Sequence, residues 1–232
     1  MKNRTLHHLA AGCLALGGSA SAAVITFSAE NFLDEALIST TGTLVEAVNF
    51  GTSSTDQVLN GITFTAAGAS SANLTVQVGT ANSNPDNYND AIHTITGVTV
   101  AEGNALFDFF VFGSGAGSDL VTLSGLTVGV QYEFQVLFVD DRTTNSIPDR
   151  TMTVSLVGGG PSDGTGPLDH TSSNVQLVTG TFTANAVTQG FDISESVGDN
   201  VKINAYQLRV VPEPSVTLLG GLALLGLLRR RR

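Results

Sequence analysis

The chain has 232 residues, a formal net charge of −10 and a single cysteine. One cysteine excludes an internal disulfide framework and a cysteine-rich zinc or iron–sulfur site, and the acidic charge argues against nucleic acid as a partner. A hydrophobic fraction of 42%, with only 13% charged residues, is too apolar for an intrinsically disordered chain.

The first 23 residues have the three parts of a secretory signal peptide. Lys2 and Arg4 are basic, Leu9 to Leu16 is a short apolar stretch, and small residues follow it. We predict that signal peptidase cuts beside Ala22 and Ala23, which would remove the only cysteine. The alternative is an N-terminal helix that belongs to the folded domain.

Residues 24–211 have the size of one domain, with 19 acidic and four basic side chains. Runs rich in Val, Ile, Phe and Thr recur between clusters of Gly, Asn, Asp and Ser, which predicts an all-β, jelly-roll-like sandwich. The predicted strands are Ala23–Phe27, Thr43–Phe50, Val58–Ala66, Asn73–Val78, Ala105–Phe112, Leu120–Leu123, Gln131–Asp140, Arg150–Val157, Val175–Thr183, Gln189–Ser194 and Val201–Val211.

Two local patterns within this domain are especially clear. Asn60-Gly61 between apolar runs predicts a two-residue hairpin turn. Along Gln131–Asp140, every second residue from Tyr132 to Phe138 is apolar, so these side chains are predicted to line the buried face. Only Glu30–Ile38 has a pattern that allows a helix.

The last 21 residues, 212–232, have three parts in a fixed order. Pro212, Glu213 and Pro214 come first, and an apolar segment, 216–228, follows. As a helix this segment would be roughly 20 Å long and is predicted to enter the membrane. Basic residues end the chain and are predicted to stop the segment at the cytoplasmic surface: Arg229, Arg230, Arg231 and Arg232.

This tail resembles the PEP-CTERM sorting signal, also known as the ice-binding protein C-terminal domain. The resemblance implies export across the inner membrane of a Gram-negative bacterium and a transient anchor through the C-terminal helix. It also implies that an exosortase recognises Pro212, Glu213 and Pro214, which catalyse nothing themselves. The processed protein would then reach the cell envelope or the extracellular matrix.

A second resemblance covers roughly residues 120–211. Gly125 to Arg142, Arg150 to Leu156 and Ile203-Asn204-Ala205 are similar, in order and pattern, to strands of galactose-binding-like and malectin-like jelly rolls. The resemblance implies a carbohydrate-binding domain. The chain departs from the usual sugar-binding surface because it has no tryptophan and only three tyrosines.

One polar cluster is the best candidate for a ligand site. It consists of Asp140, Asp141, Arg142, Asp149 and Arg150. An arginine fork beside carboxylates can hold sugar hydroxyls or a carboxylated polysaccharide. The alternative interpretation is structural, with the arginines paired to the acids across a loop.

A second polar segment offers oxygen ligands for calcium. Asp86, Asn87, Asn89 and Asp90 could supply some of the six to eight oxygens that calcium requires, although their spacing is not that of an EF-hand loop. Asx turns around Pro85 explain the same composition without a metal.

Catalytic motifs are weak by comparison. Gly160 to Gly164 matches the G-x-S-x-G nucleophile elbow, but its glycine-rich flanks favour a loop over the required strand–turn–helix. We therefore predict a non-enzymatic, exported envelope or matrix protein without a required cofactor, in a structural or glycan-binding role. The alternatives are a secreted polysaccharide-active hydrolase and a calcium-stabilised adhesin.

Overall fold

Strands dominate the computed structural model of the chain, which describes residues 23–77, 79–83, 94–113, 118–140, 151–169, 175–195 and 200–212. Single 3₁₀ turns cover Glu35–Leu37 and Pro161–Asp163. The helix and strands, in chain order, are β1 Thr26–Asn31, β2 Thr43–Phe50, β3 Gln57–Leu59, β4 Ile62–Ala67, β5 Leu74–Val76, β6 Thr80–Ser83, α1 Val100–Phe107, β7 Phe109–Phe112, β8 Ser118–Ser124, β9 Gln131–Phe138, β10 Thr151–Ser155, β11 Leu168–Asp169, β12 Gln176–Thr183, β13 Thr188–Glu195, β14 Lys202–Ile203 and β15 Ala205–Val210.

Two large sheets form a sandwich. One has seven strands in the order β1-β12-β9-β15-β2-β4-β3, and the other has five in the order β11-β10-β13-β8-β5. A small sheet, β14-β7-β6, adjoins them, and β14 is followed at once by β15 of the seven-stranded sheet. The predicted all-β sandwich is therefore confirmed.

The main core lies between the two large sheets. The predicted buried face of β9 is confirmed, because every second side chain from Tyr132 to Phe138 is buried. The Phe134 ring stacks on Phe191 of the opposite sheet, with centroids 4.7 Å apart. Gly180 on the neighbouring strand makes room for this ring, since a Cβ at that position would overlap it. Aromatic stacking and close packing thus join the sheets.

A second core covers part of the outer face of the seven-stranded sheet. Phe32 and Ile38 pack there with Leu106 and Phe107 of α1 against Leu137 of β9. The seven-stranded sheet is therefore apolar on both faces in this region, although its strands are mostly antiparallel.

The prediction of a strand over Ala105–Phe112 was wrong in its first half. Helix α1 continues to Phe107, and β7 begins only at Phe109. A capping box starts the helix: the Glu102 amide donates to Thr99 Oγ1, and the Thr99 amide donates to the Glu102 carboxylate. These two bonds satisfy amides that would otherwise lack partners at the helix start.

The helix that the pattern over Glu30–Ile38 allows does not form. β1 continues to Asn31, which pairs with Gln176, and the helical part is the single turn Glu35–Leu37. Phe32 and Ile38 are both buried in the second core. Strand pairing and burial of these two side chains outweigh the helical pattern.

Among the described residues, none belongs to a helix of the length and apolarity needed to cross a membrane. The predicted signal segment up to Ala22, Glu213, Pro214 and the apolar and arginine-rich parts of the tail lie outside the described residues. Ala23 and Pro212 are the first and last residues described.

Candidate functional site

Asp140 is the member of the predicted polar cluster that the structure describes. It lies after β9, is 1% exposed, and forms an ion pair with Lys202 of β14. The Lys202 Nζ also lies 5.3 Å from the centroid of the Phe110 ring, a cation–π distance. The other four residues of the cluster, 141, 142, 149 and 150, lie outside the described residues. The sequence interpretation did not single out Lys202.

The Lys202–Asp140 pair is enclosed by the protein. Lys202 is only 2% exposed, and burial lowers the pKa of its ammonium to about 7. A lysine with such a pKa can act as a base or nucleophile where a substrate reaches it. Because both side chains are buried, the described position suits a structural link between β14 and the end of β9.

Arg209 is the other basic side chain among the described residues, and it too is buried. Its Nε donates to the Thr41 carbonyl at 2.7 Å, and Nη2 donates to the carbonyls of Thr40 and Gly42. Glu133 stands opposite Arg209 on the neighbouring strand. Arg209 therefore fastens the segment before β2 to the outer face of the sheet.

An open groove lies where β2 and β4 separate. These strands pair in parallel at Val48–Phe50 and Thr65–Ala67. Before the paired stretch lies a cavity of about 470 Å³, with Glu46 of β2 and Thr63 and Thr65 of β4 among its lining residues. Ser71 and Ala72, on the connection to β5, also line it. The groove thus combines hydroxyl groups with one carboxylate.

Glu46 joins β2 to the connection that leads to β5. Its Oε2 accepts hydrogen bonds from Ser71 Oγ at 2.6 Å and from the Asn73 amide at 3.1 Å, and its Oε1 accepts one from the Ala72 amide at 3.0 Å. A carboxylate has about four acceptor positions, so three bonds leave capacity for a further donor. The carboxylate is half-buried and is held in place by this segment.

A bulge shapes the rim of the groove beside Glu46. In the pairing of β2 with β15, Glu46 stands opposite Leu208 and Leu44 opposite Arg209, so Val45 has no paired residue. Val45 is 41% exposed and lines the groove. Bulges commonly redirect side chains at the edge of a binding site.

A second depression of about 420 Å³ adjoins the groove. Ala66 and Ala67 line both, and the second depression is otherwise lined by small residues such as Thr52, Ser53 and Ser54. We call the two depressions together the β4 channel. Its described lining contains hydroxyl groups, aliphatic side chains and the Glu46 carboxylate, and no aromatic side chain.

The sequence interpretation did not find the β4 channel. The alternating threonines of Ile62–Ala67 were a signal for an exposed strand face, but nothing local links Glu46 to Ser71. The predicted calcium ligands Asp86, Asn87, Asn89 and Asp90 lie outside the described residues. Within the described ranges, no group of three or more His, Cys, Asp or Glu side chains could hold a metal ion.

The G-x-S-x-G match occupies the connection between β10 and β11. Pro161–Asp163 forms a single 3₁₀ turn, and Gly164 makes a bridge with Ser155 of β10. The nucleophile elbow requires a strand, a tight turn and an α-helix in succession. The described backbone follows this segment with β11, so it does not have the geometry of an elbow.

Among known proteins, this chain is similar in fold to some solved structures. No family model matches the chain, and no curated protein matches it. A solved structure of a calcium-binding mutant of Bacteroides uniformis beta-glucuronidase 2 matches with a TM-score of 0.50 and 15% identity, over 72% of this chain and 18% of that chain. The ANX1 ectodomain from Arabidopsis thaliana matches with a TM-score of 0.49 and 12% identity, over 75% of this chain and 42% of that chain.

The chain therefore spans less than half the length of these two proteins. The fold is a β-sandwich. The likeness to the beta-glucuronidase structure agrees with the β-sandwich that the sequence predicted.

Proposed function

We propose that residues 24–211 form a glycan-binding module that acts outside the cell. The observation that carries this proposal is the β4 channel, an open groove lined by both hydroxyl-bearing and aliphatic side chains, on a β-sandwich of a carbohydrate-binding-like kind. The first matched structure belongs to a beta-glucuronidase, which agrees with a carbohydrate as the ligand class.

The chemistry of the channel suits a polysaccharide. Exposed hydroxyls of Thr63 and Thr65 can exchange hydrogen bonds with sugar hydroxyls, and the two adjoining depressions together offer room for more than one sugar ring. Without aromatic stacking, each contact is weak. Binding to a polymer that repeats the same unit would gain strength from many such contacts.

The channel also supports binding without cleavage. Glycoside hydrolysis generally uses two carboxyl groups about 5 to 9.5 Å apart on either side of the bond. Glu46 is the one carboxylate in the described lining, and it already accepts three hydrogen bonds. We therefore propose a non-enzymatic role. The alternative function, a polysaccharide-active hydrolase, predicts that new reducing ends appear when the protein is incubated for a long time with a glycan that it binds.

We expect the double variant Thr63→Ala/Thr65→Ala to bind its glycan about tenfold more weakly, because two hydrogen bonds of about 0.5–1.5 kcal/mol each are lost. The measurement is a glycan-array screen of the full chain in mild detergent, followed by titration of the tightest ligand. Thr26→Ala/Thr181→Ala is the matched control, since it removes a paired set of threonines on β1 and β12. Equal loss in both variants, or no binding to any glycan, would contradict the proposal.

Stabilisation by bound calcium is a second property to test. The first matched protein is described as a calcium-binding mutant, and Asp86, Asn87, Asn89 and Asp90 carry oxygen ligands. A melting temperature that falls in EDTA would favour the calcium-stabilised adhesin. Glycan binding at the channel is expected to persist in EDTA, because Glu46 is the one carboxylate in the described lining and calcium requires six to eight oxygen ligands.

We further propose that the two ends of the chain direct export. Signal peptidase would remove residues 1–23, and an exosortase would process the tail, 212–232, at the inner membrane of a Gram-negative bacterium. The module would then enter the cell envelope or the biofilm matrix. The support for this route is the complete order of basic, apolar and small residues at the start and of motif, apolar segment and arginines at the end.

The double variant Pro212→Ala/Pro214→Ala is expected to remain in the membrane fraction as unprocessed protein, because the exosortase would no longer recognise the motif. Immunoblots of membrane and medium fractions measure this. Pro161→Ala/Pro167→Ala changes two exposed prolines elsewhere and should be processed as the wild type is. Release of the first variant at the wild-type rate would show that the sorting proposal is wrong.

A further inference from the structure

All accessible charge on the described part of the chain is negative. Its two basic side chains, Lys202 and Arg209, are 2% and 4% exposed, and both are engaged inside the protein. Carboxylates such as Glu30, Asp56 and Asp163 are exposed. A surface of this kind attracts cationic ligands and repels anionic ones over distances of roughly 10 Å at moderate salt.

In the β4 channel the negative charge that would attract a cationic ligand lies at one residue. Glu46 is the charged residue in its described lining, and no basic side chain lies among the lining residues. The carboxylate is half-buried, so its charge is screened less than that of a fully exposed side chain. Bonds from Ser71, Ala72 and Asn73 fix its position and leave acceptor capacity.

We propose that the channel binds a glycan with free amino groups, a hexosamine polymer whose ammonium group donates to Glu46. This inference rests on the proposed glycan-binding function and specifies its ligand class. An ammonium is a donor of three hydrogen bonds, and its bond to a carboxylate is stronger than a bond between neutral groups. A uronate polymer would bring its carboxylates against Glu46 and the acidic surface, which disfavours it.

The test compares three oligosaccharide probes on the full wild-type chain in mild detergent. They are glucosamine oligomers with free amines, N-acetylglucosamine oligomers with the same backbone and no charge, and uronate oligomers. We expect the free-amine oligomer to bind about tenfold more tightly than the acetylated one, with a preference that shrinks as salt is raised. The uronate oligomer is expected to bind most weakly.

Glu46→Gln should abolish the preference for the free amine, because the amide keeps the shape of the side chain and loses its charge. Glu30→Gln is the matched control, since it removes the same charge from an exposed position on β1. Thermal melting checks that both variants are folded. The comparison of free and acetylated oligomers uses the wild-type protein, so it decides the question even if Glu46→Gln weakens the segment that Glu46 holds.

Four outcomes would overturn the inference. Equal affinity for the free-amine and acetylated oligomers, or tightest binding of the uronate oligomer, would overturn the ligand class and leave glycan binding intact. A preference for the free amine that Glu46→Gln retains would show that another site is responsible. If no probe and no glycan on the array binds, the proposed function itself fails.

Discussion

Replacing Lys202 with methionine is expected to lower the free energy of unfolding by about 3–5 kcal/mol, because it removes one partner of a buried ion pair. Asp140, which is 1% exposed, would lose the ammonium that faces it. The cation–π contact with Phe110 would be lost as well. For a domain of this size the melting temperature should fall by about 10 °C. Denaturant unfolding and thermal melting measure both quantities.

The double variant Lys202→Met/Asp140→Asn separates the charge effect from lost packing. Its two neutral side chains leave no unbalanced charge at this position, so we expect the double variant to be more stable than Lys202→Met alone. If the effects of the two single substitutions on the free energy of unfolding simply add in the double variant, the ion pair does not stabilise the junction between β14 and β9.

The pH dependence measures a separate property of Lys202, the cost of burying its protonated ammonium. Burial lowers the pKa of Lys202 to about 7, whereas the ordinary value is 10.5. Between these values the unfolded chain binds more protons than the folded protein, so the contribution of Lys202 to stability falls as the pH is lowered from 10.5 to about 7 and changes no further below that. The free energy of unfolding of the wild type minus that of Lys202→Met should therefore be larger at pH 9 than at pH 6.5.

The parts of the fold that the sequence predicted well depend on local patterns. The bounds of β2, Thr43–Phe50, were predicted correctly, and the Asn60-Gly61 turn connects β3 to β4 with positive φ at both residues. The buried side of β9 followed from its alternation. Strand alternation and turn chemistry are properties of a few neighbouring residues, so they can be seen in the sequence.

Local patterns also misled the prediction where two signals competed. Ala105–Phe112 is rich in phenylalanine, which favours a strand, yet the capping box at Thr99 and Glu102 starts a helix that continues to Phe107. The threonine–glutamate spacing was present in the sequence and could have identified the helix start. Only the packing of Leu106 and Phe107 into the second core explains why the helix continues.

The candidate site could not be predicted, because pairing between distant segments creates it. Glu46 and Ser71 are separated by 25 residues along the chain, and they meet because β2 and β4 pair in parallel. Lys202 of β14 and Asp140, which follows β9, are also distant along the chain and meet only in the folded protein. Neither contact has a spacing or motif in the sequence that would reveal it.

Asn204→Ala is expected to lower the free energy of unfolding by about 3–5 kcal/mol, since three hydrogen bonds are lost inside the protein. Asn204 is fully buried between β14 and β15. Its Oδ1 accepts from the Val139 amide at 2.9 Å, and its Nδ2 donates to the carbonyls of Phe107 and Phe109 at 2.8 Å each. One side chain therefore ties the end of α1 and the start of β7 to the end of β9.

Hydrogen exchange and denaturant unfolding test this role together. The amide of Val139 should exchange faster in Asn204→Ala even under conditions in which the variant is folded, because its acceptor is gone. Asn31→Ala is the matched control, because Asn31 is exposed on β1 and accepts one side-chain hydrogen bond, from Gln176. This substitution should lower the free energy of unfolding by less than about 1 kcal/mol. If Asn204→Ala is as stable as the control, Asn204 does not hold the junction together. A large loss of stability would give the Ile203-Asn204-Ala205 segment, on which the carbohydrate-binding resemblance partly rests, a structural function at a position where no glycan can reach it.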